Sequence, residues 1–304
     1  MKKVLLSALA IMLSLVTFAQ DEQPEGWTHK GNFGLNFGQS SYTNWAAGGQ
    51  NSISGQGIFN YEIHYLKNKF KWDNTLNTSL GYSYFSFKHK PIKTDDKIEF
   101  TSLAALKATE HLNYGAELAF RSQFAKGWNY EVDSTVNYIS KFLAPAYITL
   151  GLGIEWVPNK YFSLYFSPIT GRITIVNDER LAAAGAFGVN SLDPNDTTQH
   201  AINKIRYEFG ARAVAKFQYP IAKNIDFNSK LELFSNYLYH PERIDVDWQN
   251  MLVLKVNDWL NCNLSTHLIY DYDIPFYNET GDLIKGSKVQ FKEVLAIGFM
   301  VNLK

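Results

Sequence analysis

The chain has 304 residues, which is enough for one large domain or two small ones. It carries 29 basic and 29 acidic residues, so its formal net charge of zero gives no long-range field that would attract nucleic acid or an anionic surface. Cys262 is the only cysteine, which excludes an internal disulfide framework and a cysteine-based zinc cluster.

The first 19 residues have the pattern of a cleavable signal peptide. Lys2 and Lys3 precede the apolar run VLLSALAIMLSLV, and Thr17-Phe18-Ala19 supplies a small-residue cleavage site. The apolar run is short for a spanning helix, and polar residues follow it directly. We therefore expect residues 1–19 to be a signal peptide and residues 20–304 to form the mature domain. A retained membrane anchor is the alternative.

Twelve stretches of the mature chain alternate apolar and polar residues. In the stretch from Phe70 to Tyr84, one set of alternate positions is nearly all apolar or aromatic and the other is polar or small. A period of two predicts a β-strand, and no helical period of useful length is present. The predicted strands are 32–38, 52–66, 70–87, 97–108, 111–125, 145–157, 160–176, 202–218, 223–238, 243–257, 260–271 and 288–303.

The predicted connections alternate in length. Those after even-numbered strands are short, and those after odd-numbered strands are long with the exception of 239–242. Bacterial outer-membrane barrels have short periplasmic turns, long outer loops and an even number of strands. The chain therefore predicts an all-β fold, a transmembrane antiparallel β-barrel of about 12 strands in the cell outer membrane of a Gram-negative bacterium. Both termini would lie in the periplasm.

The aromatic residues agree with a membrane position. Trp72, Trp156 and Trp259 lie within a few residues of predicted short turns, and several tyrosines, such as Tyr84 and Tyr237, lie near the opposite strand ends. Amphipathic rings favour the two membrane interfaces. A soluble β-sandwich or a lipocalin-like barrel is the alternative, because either fold also has alternating strands and would bury the apolar face inward.

The polar face of these strands would carry ten basic and nine acidic side chains into the lumen. The densest cluster is predicted on strands eight to ten: Arg206, Glu208, Arg212, Lys216, Lys230, Glu232, Asp245 and Asp247. A strongly ion-selective pore would have rings of one sign, and none is visible. The balanced charges fit either ion pairs that fill a narrow barrel or the lining of a polar pore or ligand cavity, and we expect a partly filled lumen.

No catalytic or metal-binding motif is present. Outer-membrane phospholipases have twelve strands and need Ser, His and a polar orienting residue near the lipid-facing surface, whereas His64 and His267 fall on the predicted lumen face. Neither G-x-S-x-G nor H-E-x-x-H occurs. We therefore assign no catalytic residue, no metal ligand and no cofactor, and Cys262 is expected to be a small lipid-facing residue.

One segment near the mature N-terminus has an unusual density of turn-forming residues around a lone tryptophan. Its signature residues are Gln39, Ser41, Asn44, Trp45, Gly48, Gly49, Asn51 and Ser52. With the block FKWDN at 70–74, they resemble a Bacteroidota family of unknown function (DUF3078-like) described as probable outer-membrane β-barrels. The resemblance implies the barrel fold and an outer-membrane location, and it implies no activity, substrate or catalytic residue. The segment is either an ordinary loop or a loop folded into the barrel mouth with Trp45 as its anchor.

The expected function is a passive channel, or a transport or binding barrel, for a small polar solute. One alternative is a structural or interaction barrel with a filled lumen, and a lesser alternative is an outer-membrane hydrolase. The expected partners are outer-membrane lipid, the barrel-assembly machinery and possible small polar solutes, with no nucleic acid.

Overall fold

Twelve long strands form one closed antiparallel barrel in the computed structural model, which describes residues 24–43, 50–86, 90–128, 138–189, 202–272, 276–277, 283–284 and 288–303. Residues 1–19, the predicted signal peptide, lie outside the described residues. The barrel strands are β1 (Gly26–Ser40), β2 (Ser52–Lys67), β3 (Phe70–Phe85), β4 (Ile92–Lys107), β5 (Leu112–Ser122), β6 (Ala146–Asn159), β7 (Phe162–Ile175), β8 (Ile205–Ala222), β9 (Ile225–Asn236), β10 (Ile244–Lys255), β11 (Leu260–Tyr270) and β12 (Gln290–Leu303).

Each strand pairs with its neighbours in the chain, and β1 pairs with β12 to close the sheet. Phe33 lies opposite Val301 in this closing pair. Closure leaves no strand edge unpaired, as a spanning sheet requires in hydrocarbon. The predicted fold and all twelve predicted strands are confirmed. The main differences are that β1 and β4 begin at Gly26 and Ile92, several residues before the predicted starts at 32 and 97.

The apolar faces of the strands point outward. Leu150 on β6 is 57% exposed, whereas Glu99 on β4 and Glu117 on β5 are each 5% exposed. A soluble sandwich or a lipocalin-like barrel would show the opposite arrangement, with the carboxylates outside. The outward apolar surface is therefore the surface that a lipid bilayer would cover.

Aromatic residues gather on the outer surface near the short turns. The rings of Trp27 and Tyr65 lie 4.7 Å apart between centroids, and those of Trp259 and Phe299 lie 5.4 Å apart. Indole N–H groups on this surface find partners on the neighbouring strand, since Trp72 Nε1 donates to Ser102 Oγ at 2.9 Å. Trp248 Nε1 likewise donates to Ser229 Oγ, at 3.0 Å. These pairs let the indole N–H groups face hydrocarbon without an unsatisfied donor.

The long connections add small elements at the other end of the barrel. Short strand pairs join Gly127–Trp128 to Tyr138–Ser140 and Phe276–Tyr277 to Leu283–Ile284. After β7 come helix α1 (Glu179–Ala183) and a 3-10 helix (Ala186–Gly188), neither of which was predicted because each is too short to show a helical period. Within the described ranges, no helix is long and apolar enough to cross a membrane.

Helix α1 belongs to a small apolar core, which we call the outer cap. The buried residues of this core are Ala144, Val176, Leu181, Ala182 and Val189. Asp178 is the N-cap of α1, and its side chain accepts a hydrogen bond from the Leu181 N–H. The outer cap therefore packs the segment before β6 against the segment after β7.

Candidate functional site

Arg121 reaches across the lumen. It lies on β5, and its Nη1 donates to Asp247 Oδ2 on β10 at 2.7 Å. These strands are five steps apart around the twelve-stranded barrel in one direction and seven in the other. The pair therefore joins nearly opposite walls.

Further charged groups surround this pair. Arg121 Nη2 lies 3.6 Å from carboxylate oxygens of both Glu99 and Glu232. Lys230 on β9 forms an ion pair with Glu99 on β4, a second connection between distant strands. Each of these carboxylates lies within 3.6 Å of a cation, so opposite charges attract one another throughout the group.

A second guanidinium, that of Arg212, joins the same group of charges. Arg212 on β8 forms an ion pair with Glu117 on β5, and the two side chains are 5% and 4% exposed. Arg212 Nε also donates to Glu232 Oε1 at 2.8 Å. We use the name central network for Glu99, Glu117, Arg121, Arg212, Lys230, Glu232 and Asp247.

Apolar side chains fill the lumen beside Arg212. Leu103, Tyr165 and Val214 form a buried cluster and come from β4, β7 and β8. Gly115 makes room for it, since a Cβ at this position would lie 3.1 Å from Leu103 Cδ1 and 3.2 Å from Tyr165 Cε2. The lumen is therefore filled on this side by a packed core.

A separate set of charges lies towards the outer cap. Arg172 donates two hydrogen bonds to Glu208, at 2.8 and 2.6 Å, and a third to Asp245 at 2.9 Å. Arg206 shares Glu208, at 2.8 Å. The Arg172 guanidinium also lies 3.9 Å from the centre of the Phe234 ring. A bidentate pair with a stacked ring fixes the guanidinium against the barrel wall.

A third set lies near the short turns. Lys71 Nζ contacts Asp73 at 2.8 Å and Glu155 at 2.9 Å. His64 Nδ1 lies 2.9 Å from Asp73, and its Nε2 lies 3.2 Å from Glu62. Both ring nitrogens of His64 therefore face carboxylates.

Water-accessible space remains between the central network and the short turns. Lys216, Gln218 and Met251 alternate with lipid-facing residues and so point inward, yet all three are exposed. Met251 is 38% exposed. We call this region the turn-side chamber. It shows that the central network and its apolar flank interrupt the lumen without filling its whole length.

The eight residues of the predicted lumen cluster are divided between three places. Arg206, Glu208 and Asp245 lie with Arg172 in the set of charges towards the outer cap. Arg212, Lys230, Glu232 and Asp247 lie in the central network. Lys216 lines the turn-side chamber. Glu99, Glu117 and Arg121 on β4 and β5 complete the central network from the far wall. Strand order alone does not show that these residues approach β8 to β10.

Two interior charges were missed because the predicted strands began too late. Lys30 lies on β1 before the predicted start and pairs with Glu62 at 3.0 Å. Asp95 lies on β4 before its predicted start and pairs with Lys292 at 2.6 Å. Both residues lie two positions before a predicted start, so extending the alternation towards the N-terminus by two residues identifies them.

Part of the signature segment forms the base of the connection between β1 and β2. Asn51 Oδ1 accepts a hydrogen bond from the Tyr42 N–H at 2.6 Å, and the hydroxyls of Ser40 and Ser52 lie 2.7 Å apart. Gln39 lies opposite Ile53 in the sheet. Ser41 is described, whereas Asn44, Trp45, Gly48 and Gly49 lie outside the described residues. The proposed anchoring role of Trp45 therefore stays a prediction.

The two histidines on the lumen face, His64 and His267, contact carboxylates and no hydroxyl or thiol nucleophile among the described residues. His267 Nε2 lies 3.0 Å from Asp247, and the His64 contacts are also to carboxylates. Among the residues that the structure describes, no group of three or more His, Cys, Asp or Glu side chains could hold a metal ion. The geometry favours packing and charge balance as the role of these groups.

Sequence comparison bears on the signature segment. Residues 37–128 match the model of a family described as "Protein of unknown function (DUF3078)". The match covers the connection between β1 and β2 and the strands through β5. It confirms the resemblance predicted from the signature, and the family description carries no activity. No curated protein sequence matches the chain.

Three solved structures similar to the chain are a channel, a porin and a translocator domain. One is the COG4313 outer membrane channel from Pseudomonas putida F1, with 11% identity, a TM-score of 0.40 and coverage of 94% of this chain and 99% of that one. Another is the NanC porin, with 9% identity, a TM-score of 0.35 and coverage of 89% and 97%. A third is the translocator domain of the autotransporter NalP from Neisseria meningitidis, with 10% identity, a TM-score of 0.35 and coverage of 100% and 97%.

The closed sheet, its apolar exterior and its charged interior together define the architecture of an outer-membrane β-barrel.

Proposed function

We propose that the protein resides in the cell outer membrane and admits a small polar solute to its lumen, with the central network as the barrier to passage. The observation that carries this proposal is the contact between Arg121 and Asp247 from opposite walls. A mixed-sign ion network across a narrow lumen restricts passage by size and by the cost of separating paired charges.

The turn-side chamber supports a solute compartment. Its exposed side chains include the ammonium of Lys216 and the carboxamide of Gln218. A solute that enters from the short-turn end would reach the central network through this space. The polar lining favours a polar solute over an apolar one.

A structural or interaction barrel is the second candidate. The observation that favours it is the apolar cluster of Leu103, Tyr165 and Val214, which is buried inside the lumen and adds a packed core to the central network. A barrel of this kind would be stabilised by its filling and would carry nothing.

Single-channel conductance separates these two functions. The mature protein is refolded and inserted into a planar bilayer beside the double variant Arg121→Ser, Asp247→Ser, which removes both members of the cross-lumen pair. The control variant is Lys255→Ser, Asp226→Ser, whose ion pair joins the adjacent strands β10 and β9 near the short-turn end rather than opposite walls.

We expect small or absent current steps from the unmodified barrel and the control, and discrete larger steps from the cross-lumen variant. Folding of each sample is checked by the difference in gel mobility between unheated and boiled protein. A cross-lumen variant that is folded and still silent would overturn the proposed barrier and favour the structural barrel.

A further inference from the structure

Two lysines lie in direct opposition where the central network meets the turn-side chamber. Lys216 on β8 lies opposite Lys230 on β9 in the register of the sheet, and both point into the lumen. Like charges at directly opposed positions of an antiparallel pair are destabilising. The arrangement therefore needs a compensating negative charge.

The described part of the chain supplies that charge to only one of the two lysines. Lys230 is paired with Glu99 in the central network. Lys216 has no ion pair or hydrogen bond from its ammonium to any described residue, and its side chain is exposed to the chamber. Lys216 is thus a cation that faces water inside the barrel with a second cation beside it.

The carboxylates whose charges act on Lys216 are committed to other cations. They are Glu117, Asp73 and Glu155. Glu117 is paired with Arg212, and Asp73 and Glu155 both contact Lys71. None of them has to be displaced for a mobile anion to approach Lys216.

Uncharged donors flank the two lysines. Ser163 on β7 lies opposite Lys216 on its other side, and Gln218 and Asn228 form the next inward-facing pair towards the short turns. The side chains of these three residues form no hydrogen bond with another described residue. A hydroxyl, two carboxamides and the Lys216 ammonium therefore face one water-accessible space, and the Lys230 ammonium, held by Glu99, lies at its border.

We infer that Lys216, Lys230, Ser163, Gln218 and Asn228 form a binding site for a small oxyanion, a phosphate or a carboxylate. Oxyanions accept charge-assisted hydrogen bonds from ammonium groups and further hydrogen bonds from hydroxyl and amide donors. Binding would neutralise the repulsion between the two lysines. The inference deepens the proposed function and rests on it in one respect, since the chamber must be open to solutes.

The test uses the refolded full barrel and inorganic phosphate as the probe. The midpoint temperature for loss of folded gel mobility is followed as sodium phosphate increases, with sodium chloride holding the ionic strength constant. The variants are Lys216→Gln, which removes the cation, and Lys216→Arg, which keeps it. The matched control is Lys107→Gln, because Lys107 also points inward and is exposed, but lies opposite Asn113.

Phosphate should raise the midpoint of the unmodified barrel, of Lys216→Arg and of Lys107→Gln. Lys216→Gln should need about tenfold more phosphate for the same rise, which is the effect of losing one charge-assisted hydrogen bond. A barrel that does not respond to phosphate, or a Lys216→Gln variant that responds like the unmodified barrel, would overturn the site.

Sodium acetate in place of phosphate identifies the class of oxyanion. A rise with both salts that depends on Lys216 supports a site for carboxylates and phosphates, and a rise with phosphate alone supports a phosphate site. This readout is independent of conductance. A silent cross-lumen variant would overturn the proposed barrier and leave a phosphate response intact, whereas a conducting barrel without that response would overturn only the oxyanion site.

Discussion

Arg121 Nη1 and Asp247 Oδ2 meet at 2.7 Å although their strands stand on nearly opposite walls of the barrel. A pair of this kind acts as a strut, because separating it requires both the loss of a charge-assisted hydrogen bond and the movement of a wall. The pair also crosses the lumen. Stability and permeability of this barrel therefore depend on the same side chains.

Removal of Arg212 should destabilise the barrel strongly. The variant Arg212→Gln leaves the carboxylate of Glu117, whose side chain is 4% exposed, without its cation. We expect a loss of about 3–5 kcal/mol in the free energy of unfolding, measured by urea titration in lipid vesicles. Lys255→Gln is the control, because Lys255 and its partner Asp226 are both more exposed than Arg212 and Glu117. The expected loss for this variant is about 0–1 kcal/mol. Equal losses in the two variants would contradict burial of the central network.

Arginine on the outer surface should test the position of the bilayer. Leu150 and Ile53 are both 57% exposed on the outside, but Leu150 is the fifth residue of β6 and Ile53 is only the second residue from the loop end of β2. We expect Leu150→Arg to cost about 2–4 kcal/mol and Ile53→Arg about 0–1 kcal/mol, because the cost of a charge rises towards the bilayer midplane. Urea titration in vesicles measures both, and similar small values would contradict a membrane-embedded exterior.

Epitope tags should report the orientation of the barrel. The turn between β2 and β3 has two residues, and the connection between β1 and β2 spans 41–51. Because short turns of outer-membrane barrels face the periplasm, a tag after Asn68 should be hidden from antibody in intact cells. A tag after Gln50 should be accessible. Labelling before and after permeabilisation measures this, and the reverse pattern would invert the topology.

Asp178 should make the outer cap sensitive to acid. Burial alone would raise the pKa of Asp178, but hydrogen bonds from Lys141, from Tyr138 and from the Leu181 N–H outweigh burial and hold that pKa well below its ordinary value. The stabilisation from a lowered pKa is complete above the unfolded-state pKa of about 4 and is lost as the pH falls from there towards the folded-state pKa.

Hydrogen exchange of the Leu181 amide measures this effect. After correction for the intrinsic exchange rate, protection should stay constant from about pH 7 to pH 5 and decline below about pH 4. Asp178→Asn keeps a capping acceptor without the titrating charge and should abolish the pH dependence. Glu179→Gln, which changes an exposed neighbour, should retain it. A pH dependence that survives Asp178→Asn would assign it to another group.

Asn51 should hold the base of the signature segment. Replacing it by Ala removes the acceptor of the Tyr42 N–H. We expect protection of the Tyr42 amide from exchange to fall by about 1 kcal/mol in opening free energy, the usual contribution of one hydrogen bond. Gln50→Ala is the matched control, because Gln50 accepts the hydrogen bond from Ser40 Oγ with its backbone oxygen, which the substitution keeps. Equal effects of the two changes would contradict a specific role for the Asn51 side chain.

The strand order and the face on which most strand residues lie were predictable from the chain. A strand has a period of two, so Phe70, Trp72 and Leu76 fall on one face whatever the tertiary fold. The alternation of short and long connections then distinguished a membrane barrel from a soluble one. The period of two is a local pattern, and the connection lengths can be read directly from the chain, so a single sequence displays both.

The partners of the interior charges were decided by the tertiary structure. Arg121 and Asp247 are 126 residues apart in the chain, and no periodic pattern relates them. Closure of β1 on β12 sets the diameter, and the stagger of the strands then places Glu117 beside Arg212 and leaves Lys216 facing Lys230. The sequence by itself determined which residues of each strand share its polar face. Only the closed barrel decided which of them meet, because contact across a lumen depends on curvature and stagger rather than on neighbours in the chain.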